Sequence, residues 1–365
     1  MQSVPKKTEI TETDIIIIGA GPAGLACSNA LKKLNLKSII LESGTDVGYA
    51  WSKMPDNLKL GPWISSQIDK SISWFKLLSC PYAKSYASYL KSFALKEKLD
   101  VRCNQKVKSI KKVEKIFFLK TTASKLYKAS CVVNATGYFQ NPIFPDWVKK
   151  INNSCKVLHY NQYRNSNCIS SSKENMKILI VGGGISAGEL LLDLEKKHHS
   201  ITLSIRNEIK FERPRWLQLL VSPFYFWLEE KFPTSKKLGS SKRYMAGGKT
   251  KRIINSGRIN IIGPIKKVSD NLFYHSKGTE KFDVVILATG WKSNLSHLDS
   301  VLLGNDGEPR TYNMESKIWS GFFFLGVDNL ISHRSRFIRG IRSDAELLAN
   351  TILNYFELRS KTSQT

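Results

Sequence analysis

The chain has 365 residues, 42% of them hydrophobic, and 56 Lys and Arg against 30 Asp and Glu give a formal net charge of +26. That length accommodates two ordinary domains; no apolar run reaches the roughly 20 residues of a membrane span, and polar Met1–Thr13 lacks the core of a secretory leader, so a cytoplasmic protein is expected. The lysines are spread over the whole length without a zinc-finger, RNP or helix-turn-helix pattern, which excludes specific nucleic-acid recognition and leaves a solvated basic surface with weak, salt-sensitive attraction to polyanions.

In chain order, Asp14–Ile18 is continuous, β-branched and ends at glycine, the pattern of a buried parallel strand. Gly19-Ala20-Gly21-Pro22-Ala23-Gly24 then opens a helix predicted over Pro22–Leu34, and the strand Lys37–Leu41 ends at Glu42. A looser segment with Gly44, Gly48, Pro55, Gly61, Pro62 and Pro81 leads to a helix over Tyr82–Lys98 and alternating strands within Val101–Lys128. Cys131-Val132-Val133-Asn134-Ala135-Thr136-Gly137 is a buried strand running into a turn, and Asn141–Ser172, rich in Pro, Asn and Ser, reads as a linker.

Lys177 starts a second β-α-β unit. Ile178–Val181 enters Gly182-Gly183-Gly184, followed by a helix over Ala187–Lys197 and a strand over Ile201–Ile205. Asn207–Arg252 is irregular and aromatic. Strands return at Ile259–Ile262, at Asp283–Leu287 (ending in Ala288-Thr289-Gly290-Trp291) and at Phe322–Leu325. The chain closes on an amphipathic helix over Ser343–Leu358, with Ser343 or Asp344 as its cap.

Strand, glycine turn and helix in that order form the setting in which a dinucleotide is bound. Gly19 permits the tight turn, Gly21 lets a pyrophosphate approach the backbone, and Gly24 lets the helix pack on the sheet. The helix N-terminus presents free N–H groups to the phosphates, and Glu42 stands where a ribose diol would donate to it. In the second unit Gly182, Gly184 and Ala187 take the three positions. Arg206 stands where the first unit has its acid; an arginine there pairs with a 2′-phosphate, which favours NADPH over NADH, and Lys210, Arg213 and Arg215 lie near enough to assist. Two such turns, each followed at a comparable interval by Ala-Thr-Gly (135–137 and 288–290), imply two dinucleotides facing each other, a flavin and a nicotinamide. The fold class expected is α/β: two Rossmann-like dinucleotide-binding domains, the NADPH domain (169–290) inserted into the FAD domain (1–168 and 291–365).

The six cysteines (27, 80, 103, 131, 155 and 168) are scattered and no two stand as C-x-x-C, which argues against a redox dithiol, a zinc ribbon or a disulfide framework. His198-His199 lies at a helix end beside lysines and reads as solvated surface, because adjacent histidines point apart on a helix. Trp216–Leu228 is apolar, broken by Pro223 and too short to span a bilayer. Core packing, a substrate entrance, a peripheral membrane contact and a dimer contact all fit it.

With these motifs the chain, from about Asp14 to Leu358, resembles the two-dinucleotide-binding flavoproteins, and among them the class B flavin-dependent monooxygenases, a group that includes the flavin-containing and YUCCA-like enzymes. Gly48-Tyr49-Ala50-Trp51 is similar to the family's G-x-x-W segment beside the flavin. Val107 falls where a backbone contact to the adenine is expected, and Gly340-Ile341-Arg342-Ser343-Asp344-Ala345 resembles the last flavin contact, at a helix N-terminus. The resemblance implies FAD and NADPH as cofactors and a small-molecule substrate (amine, sulfide or oxo acid) oxygenated with O2 through a C4a-hydroperoxyflavin. The flavin then carries the hard chemistry. The family motif F-x-G-x-x-x-H-x-x-x-[WFY] falls on Asn153, Cys155, His159 and Tyr163, of which only the last two match. His159 and, by region, Asn57 are the catalytic candidates. Because of that departure, a flavin reductase without oxygenation and a catalytically degenerate flavoprotein stand beside the monooxygenase.

Overall fold

β-branched side chains build the first layer. Ile10–Ile18 (β1) ends in four consecutive buried isoleucines, a strand covered on both faces. Pro22–Lys33 (α1) leads to Ser38–Leu41 (β2), which pairs parallel to β1. The structure, a computed structural model, describes residues 10–169, 175–195, 199–211, 244–245, 247–328, 330–332 and 334–362.

Beyond β2 come two single helical turns, Tyr49–Ser52 (α2) and Trp63–Ser66 (α3), then Ala83–Lys96 (α4) and Asp100–Arg102 (β3). Val107–Val113 (β4) and Ile116–Thr121 (β5) form an antiparallel hairpin hung on Leu126–Asn134 (β6), the alternating excursion expected from the sequence. Far along the chain, Phe322–Phe324 (β15) returns to pair parallel with β6, and the sheet core runs in the order β15-β6-β1-β2-β3.

The second sheet is parallel throughout. Its order is Asn260–Ile262 (β10), Ser200–Ser204 (β9), Lys177–Val181 (β8), Val284–Leu287 (β14) and Lys156–His159 (β7). Ile185–Leu194 (α5) connects β8 to β9, and Lys249–Asn255 (α6) precedes β10. Lys267–Ser269 (β11), Leu272–His275 (β12) and Gly278–Glu280 (β13) make a small antiparallel sheet. In chain order the second sheet is enclosed by the first, the inserted α/β arrangement. Each sheet has its own buried cluster, one around Ile15–Ile18 and Phe322–Phe324, the other around Ile178, Ile180, Leu190 and Ile286.

Two expectations are corrected here. Asn141–Ser172 is more than a linker: Lys156–His159 within it forms β7 on the open edge of β14, so strands of the second sheet begin ahead of residue 169. The closing helix, α7, spans Ile338–Thr362, so neither Ser343 nor Asp344 caps it. Ser343 Oγ instead donates to the Gly340 carbonyl one turn back (3.0 Å). No helix among the described residues is long and apolar enough to cross a membrane.

Candidate active site

The two glycine turns are built alike. Gly19 N–H donates to Leu41 O (2.8 Å) and Ala135 N–H to Ile18 O (2.9 Å); Gly182 N–H donates to Ser204 O (2.9 Å) and Ala288 N–H to Val181 O (2.9 Å). Gly19 (φ +109°) and Gly182 (φ +139°) adopt backbone that side chains rarely reach. A β-carbon at Gly19 would lie 2.6 Å from Ala135 O, and one at Gly182 2.4 Å from Ala288 O. Each Ala-Thr-Gly therefore lies against the first glycine of its own fingerprint. At Gly21 and Gly184 a β-carbon would meet nothing within 4 Å. Those glycines face open space at the N-termini of α1 and α5, whose first turns hold no acid. Open backbone N–H groups with no competing carboxylate fit a pyrophosphate in both places. Gly24 packs with its β-position 1.9 Å from Gly19 O, and Ala187 is fully buried at the matching position.

Around the first turn, Glu42 is buried; its carboxylate accepts Ala20 N–H (2.8 Å) and Gly44 N–H (2.7 Å). It braces the glycine turn, and a carboxylate with about four acceptor positions retains capacity for a diol. Gln105 N–H donates to Glu42 O (2.8 Å), which brings the buried start of β4 at Val107 alongside. Gly48 N–H donates to Ala20 O (3.0 Å) and so places Trp51 beside the same turn, edge-on to Tyr86 and Phe139. The N-terminal turns of α1 and α7 meet at Gly326, whose β-position lies 3.2 Å from Ala23 Cβ and 4.0 Å from Ile341 Cδ1. Gly340 belongs to that first turn of α7. Asp344 lies in the second turn, buried, with one carboxylate oxygen unpartnered, and burial pushes its carboxyl above the usual range. An orphaned buried oxygen here fits a group that donates to it.

Two crossings join the halves, side by side. Ile143 N–H donates to Gly290 O (3.0 Å), Lys292 N–H to Asn141 O (2.9 Å) and Asn294 N–H to Gly137 O (3.1 Å). The threonines cross over: Thr136 Oγ1 donates to Asn294 O (2.8 Å) and Thr289 Oγ1 to Ile143 O (2.5 Å). Each Ala-Thr-Gly is followed within two residues by an aromatic ring, and those two rings, Phe139 and Trp291, meet edge-on at 5.3 Å. The repeat is readable in the sequence as an aromatic residue shortly after each Ala-Thr-Gly.

His159 is fully buried at the end of β7, between the rings of Phe144 and Trp291. Its Nε2–H donates to Gly290 O (3.2 Å), and Nδ1 accepts Asn161 N–H (3.3 Å). Burial holds its pKa below the ordinary value. Tyr163 Oη donates to Asp193 (2.6 Å). These two matched motif residues thus fasten the segment after β7 to the second half. The two unmatched positions lie apart from the crossings: Cys155 is in the cluster around Phe273, and Asn153 is an exposed turn residue. Asn57 donates to Asp193 Oδ1 (3.1 Å) at the C-terminal end of α5, the end opposite the glycine turn. It clamps the halves together.

A cleft of about 450 Å³ opens between the halves, lined by Tyr49, Lys53, Met54, Phe139, Asn161 and Arg164 among others. Among the described residues, Lys53 and Arg164 are its only charged lining residues. Arg164 donates to Met54 O (2.6 Å) and Ser52 O (2.9 Å), fixing the wall next to Trp51. Sequence reasoning missed this arginine, because nothing local marks it.

Arg206 is exposed two residues beyond β9, directly after Ile205, whose side chain packs 3.4 Å from the β-position of Gly183. No described carboxylate pairs with it. Lys197, His198, Arg213, Arg215 and Trp216–Leu228 lie outside the described residues. All six cysteines are free, and burial raises Cys27 to about 12. No group of metal-ligating side chains occurs among the described residues.

A sequence profile of the pyridine nucleotide-disulphide oxidoreductase family matches residues 16–326. The chain is 27% identical over 354 residues to a CzcO-like oxidoreductase of Geobacillus kaustophilus, covering 94% of this chain and 99% of that one. It is 28% identical to the probable indole-3-pyruvate monooxygenase YUCCA1 of Arabidopsis thaliana, covering 85% of each. The fold superimposes on the flavin-containing monooxygenase from Stenotrophomonas maltophilia with a TM-score of 0.77 at 19% identity, over 94% of this chain and 99% of that one.

Proposed function

Because the chain belongs to the pyridine nucleotide-disulphide oxidoreductase family, we propose that this oxidoreductase binds FAD on the first cradle and NADPH on the second and oxygenates a small nucleophilic molecule with O2. The observation that carries the reading is the duplication: each fingerprint glycine abuts its own Ala-Thr-Gly, and the two halves are joined by paired crossings with a cleft between them. The relative named for acting on indole-3-pyruvate supports oxygen transfer to a small acid.

When bound, the two dinucleotides supply hydride transfer and activation of dioxygen. The chain's residues do the rest. The N–H groups behind Gly21 and Gly184 would hold the pyrophosphates, Glu42 would take a ribose diol, and Val107 would offer its backbone to the adenine. Gly340 and Asp344, on the helix that meets α1, and Trp51 would hold the ring system when it is bound. Arg206 pairs with the 2′-phosphate. Thr136 and Thr289 lock the crossings, while Phe139, Trp291 and the buried His159 pack against one another where the halves meet. The cleft beside Lys53 and Arg164 receives the substrate.

The test is stoichiometric. Amines, sulfides and oxo acids are supplied with NADPH and air, and NADPH consumed, peroxide released and product formed are compared. Oxygenated product close to one per NADPH with one of these classes supports the reading. Peroxide or a reduced acceptor in equal yield, whatever is supplied, replaces it with a reductase.

A further inference from the structure

Between α3 and α4 the chain projects a tip that neither cradle uses. Its base is tied by backbone hydrogen bonds: Leu60 N–H to Pro81 O (2.9 Å), Trp63 N–H to Ser79 O (3.0 Å) and Ile64 N–H to Leu77 O (2.9 Å). Trp63 anchors it inward against Tyr86 and Tyr89. At the tip the polarity is inverted. Trp74 is 73% exposed, Phe75 75% and Leu78 52%, with Tyr82 exposed at the base. Single exposed apolar residues are ordinary, but a cluster of this size marks a contact surface.

Charge points to the partner. From residue 57 to residue 96 the chain has six lysines and one acid, Asp69. That carboxylate is already taken by Tyr89 Oη (2.5 Å) and Ser71 Oγ (2.8 Å). Lys59, Lys70, Lys76 and Lys84 are exposed around the apolar cluster, Lys59 lying 4.7 Å over the Tyr82 ring. Aromatic and aliphatic side chains at a tip, ringed by lysine, complement the headgroup boundary of an anionic bilayer. A second copy carries the same net charge of +26, which disfavours self-contact. Single-stranded nucleic acid is matched less well: the Trp74 and Phe75 rings are stacked on each other at 3.9 Å, so each covers a face a base would need, and Leu78 offers no ring.

We propose that the Trp74–Leu78 tip docks the protein on the surface of an anionic lipid bilayer. Trp74, Phe75 and Leu78 enter the headgroup layer, and the surrounding lysines meet the lipid phosphates. The docking site is independent of the cofactor assignments.

The test is co-sedimentation of the full-length protein with phosphatidylcholine vesicles, with and without about one-third phosphatidylglycerol. The wild-type protein is expected on the anionic vesicles only, and brominated acyl chains should quench part of its tryptophan emission. The charge-conserving double variant Trp74→Ser/Phe75→Ser should bind at least about tenfold more weakly, with unchanged far-UV spectrum and size. A wild-type protein that stays in the supernatant, or that shows no quenching, overturns the proposal. So does a double variant that binds as well as wild type, since diffuse positive charge then suffices. Loss in the variant of a wild-type dimer, or of affinity for an oligouridine, reassigns the tip to self-contact or to nucleic acid.

Discussion

Gly182 lies so close to Ala288 that a β-carbon on it would come within 2.4 Å of the Ala288 carbonyl oxygen, at a φ of +139°. Backbone of this kind costs a non-glycine residue about 1–3 kcal/mol before the clash is counted. Gly182→Ala should therefore displace the second Ala-Thr-Gly while the first cradle stays intact. The expected outcome is normal flavin content with NADPH binding weakened at least about tenfold, measured by equilibrium titration. Unchanged NADPH affinity would separate this turn from the nicotinamide site.

Gly21→Ala is the complementary case. The added methyl meets no protein atom within 4 Å, so the fold itself should tolerate it. If Gly21 borders the pyrophosphate, flavin occupancy falls while the melting temperature of the flavin-free protein is unchanged. Full flavin occupancy in the variant would count against the first cradle.

If Arg206 meets the 2′-phosphate, it sets the choice of nicotinamide. Arg206→Ala should raise the KM for NADPH at least about tenfold and leave that for NADH within about twofold, the difference expected of a charge-assisted phosphate contact. Equal effects on both would remove the 2′-phosphate role.

These two turns were legible in the sequence because their chemistry is local: β-branched runs ending in glycines that only a tight turn requires. The Ala-Thr-Gly repeats were legible as repeats, but their seat against Gly19 and Gly182 depends on which strands become neighbours. Lys156–His159 reads as linker because it is a four-residue run among Asn and Ser, and the open edge of β14 makes it a strand. Ser343 and Asp344 have the composition of a helix cap, while their side chains face a preceding carbonyl and the interior. Asn57 stands out in the sequence by region alone, and its partner Asp193 is 136 residues away.

Stability should depend on pH through His297. Its Nε2–H donates to Asn134 Oδ1 (2.8 Å) in a buried site, and burial lowers its pKa from 6.5 to about 4. The unfolded chain binds a proton that the folded chain refuses between those values. The contribution is present in full above about pH 6.5 and is lost as pH falls toward 4, about 3 kcal/mol in all. His297→Gln keeps a donor to Asn134 and removes the titration. Its melting temperature should fall less than that of wild type between neutral and acidic pH; equal slopes would contradict this.

The central claim is that two cradles set face to face pass a hydride from a nicotinamide to a flavin. Anaerobic titration of the purified, yellow holoprotein with NADPH, followed at the flavin absorbance band, tests it most directly. Saturable bleaching in wild type, strongly weakened in Gly182→Ala at equal flavin content, is the expected result. A protein that binds no FAD, or a bound flavin that NADPH leaves oxidised, would contradict the claim.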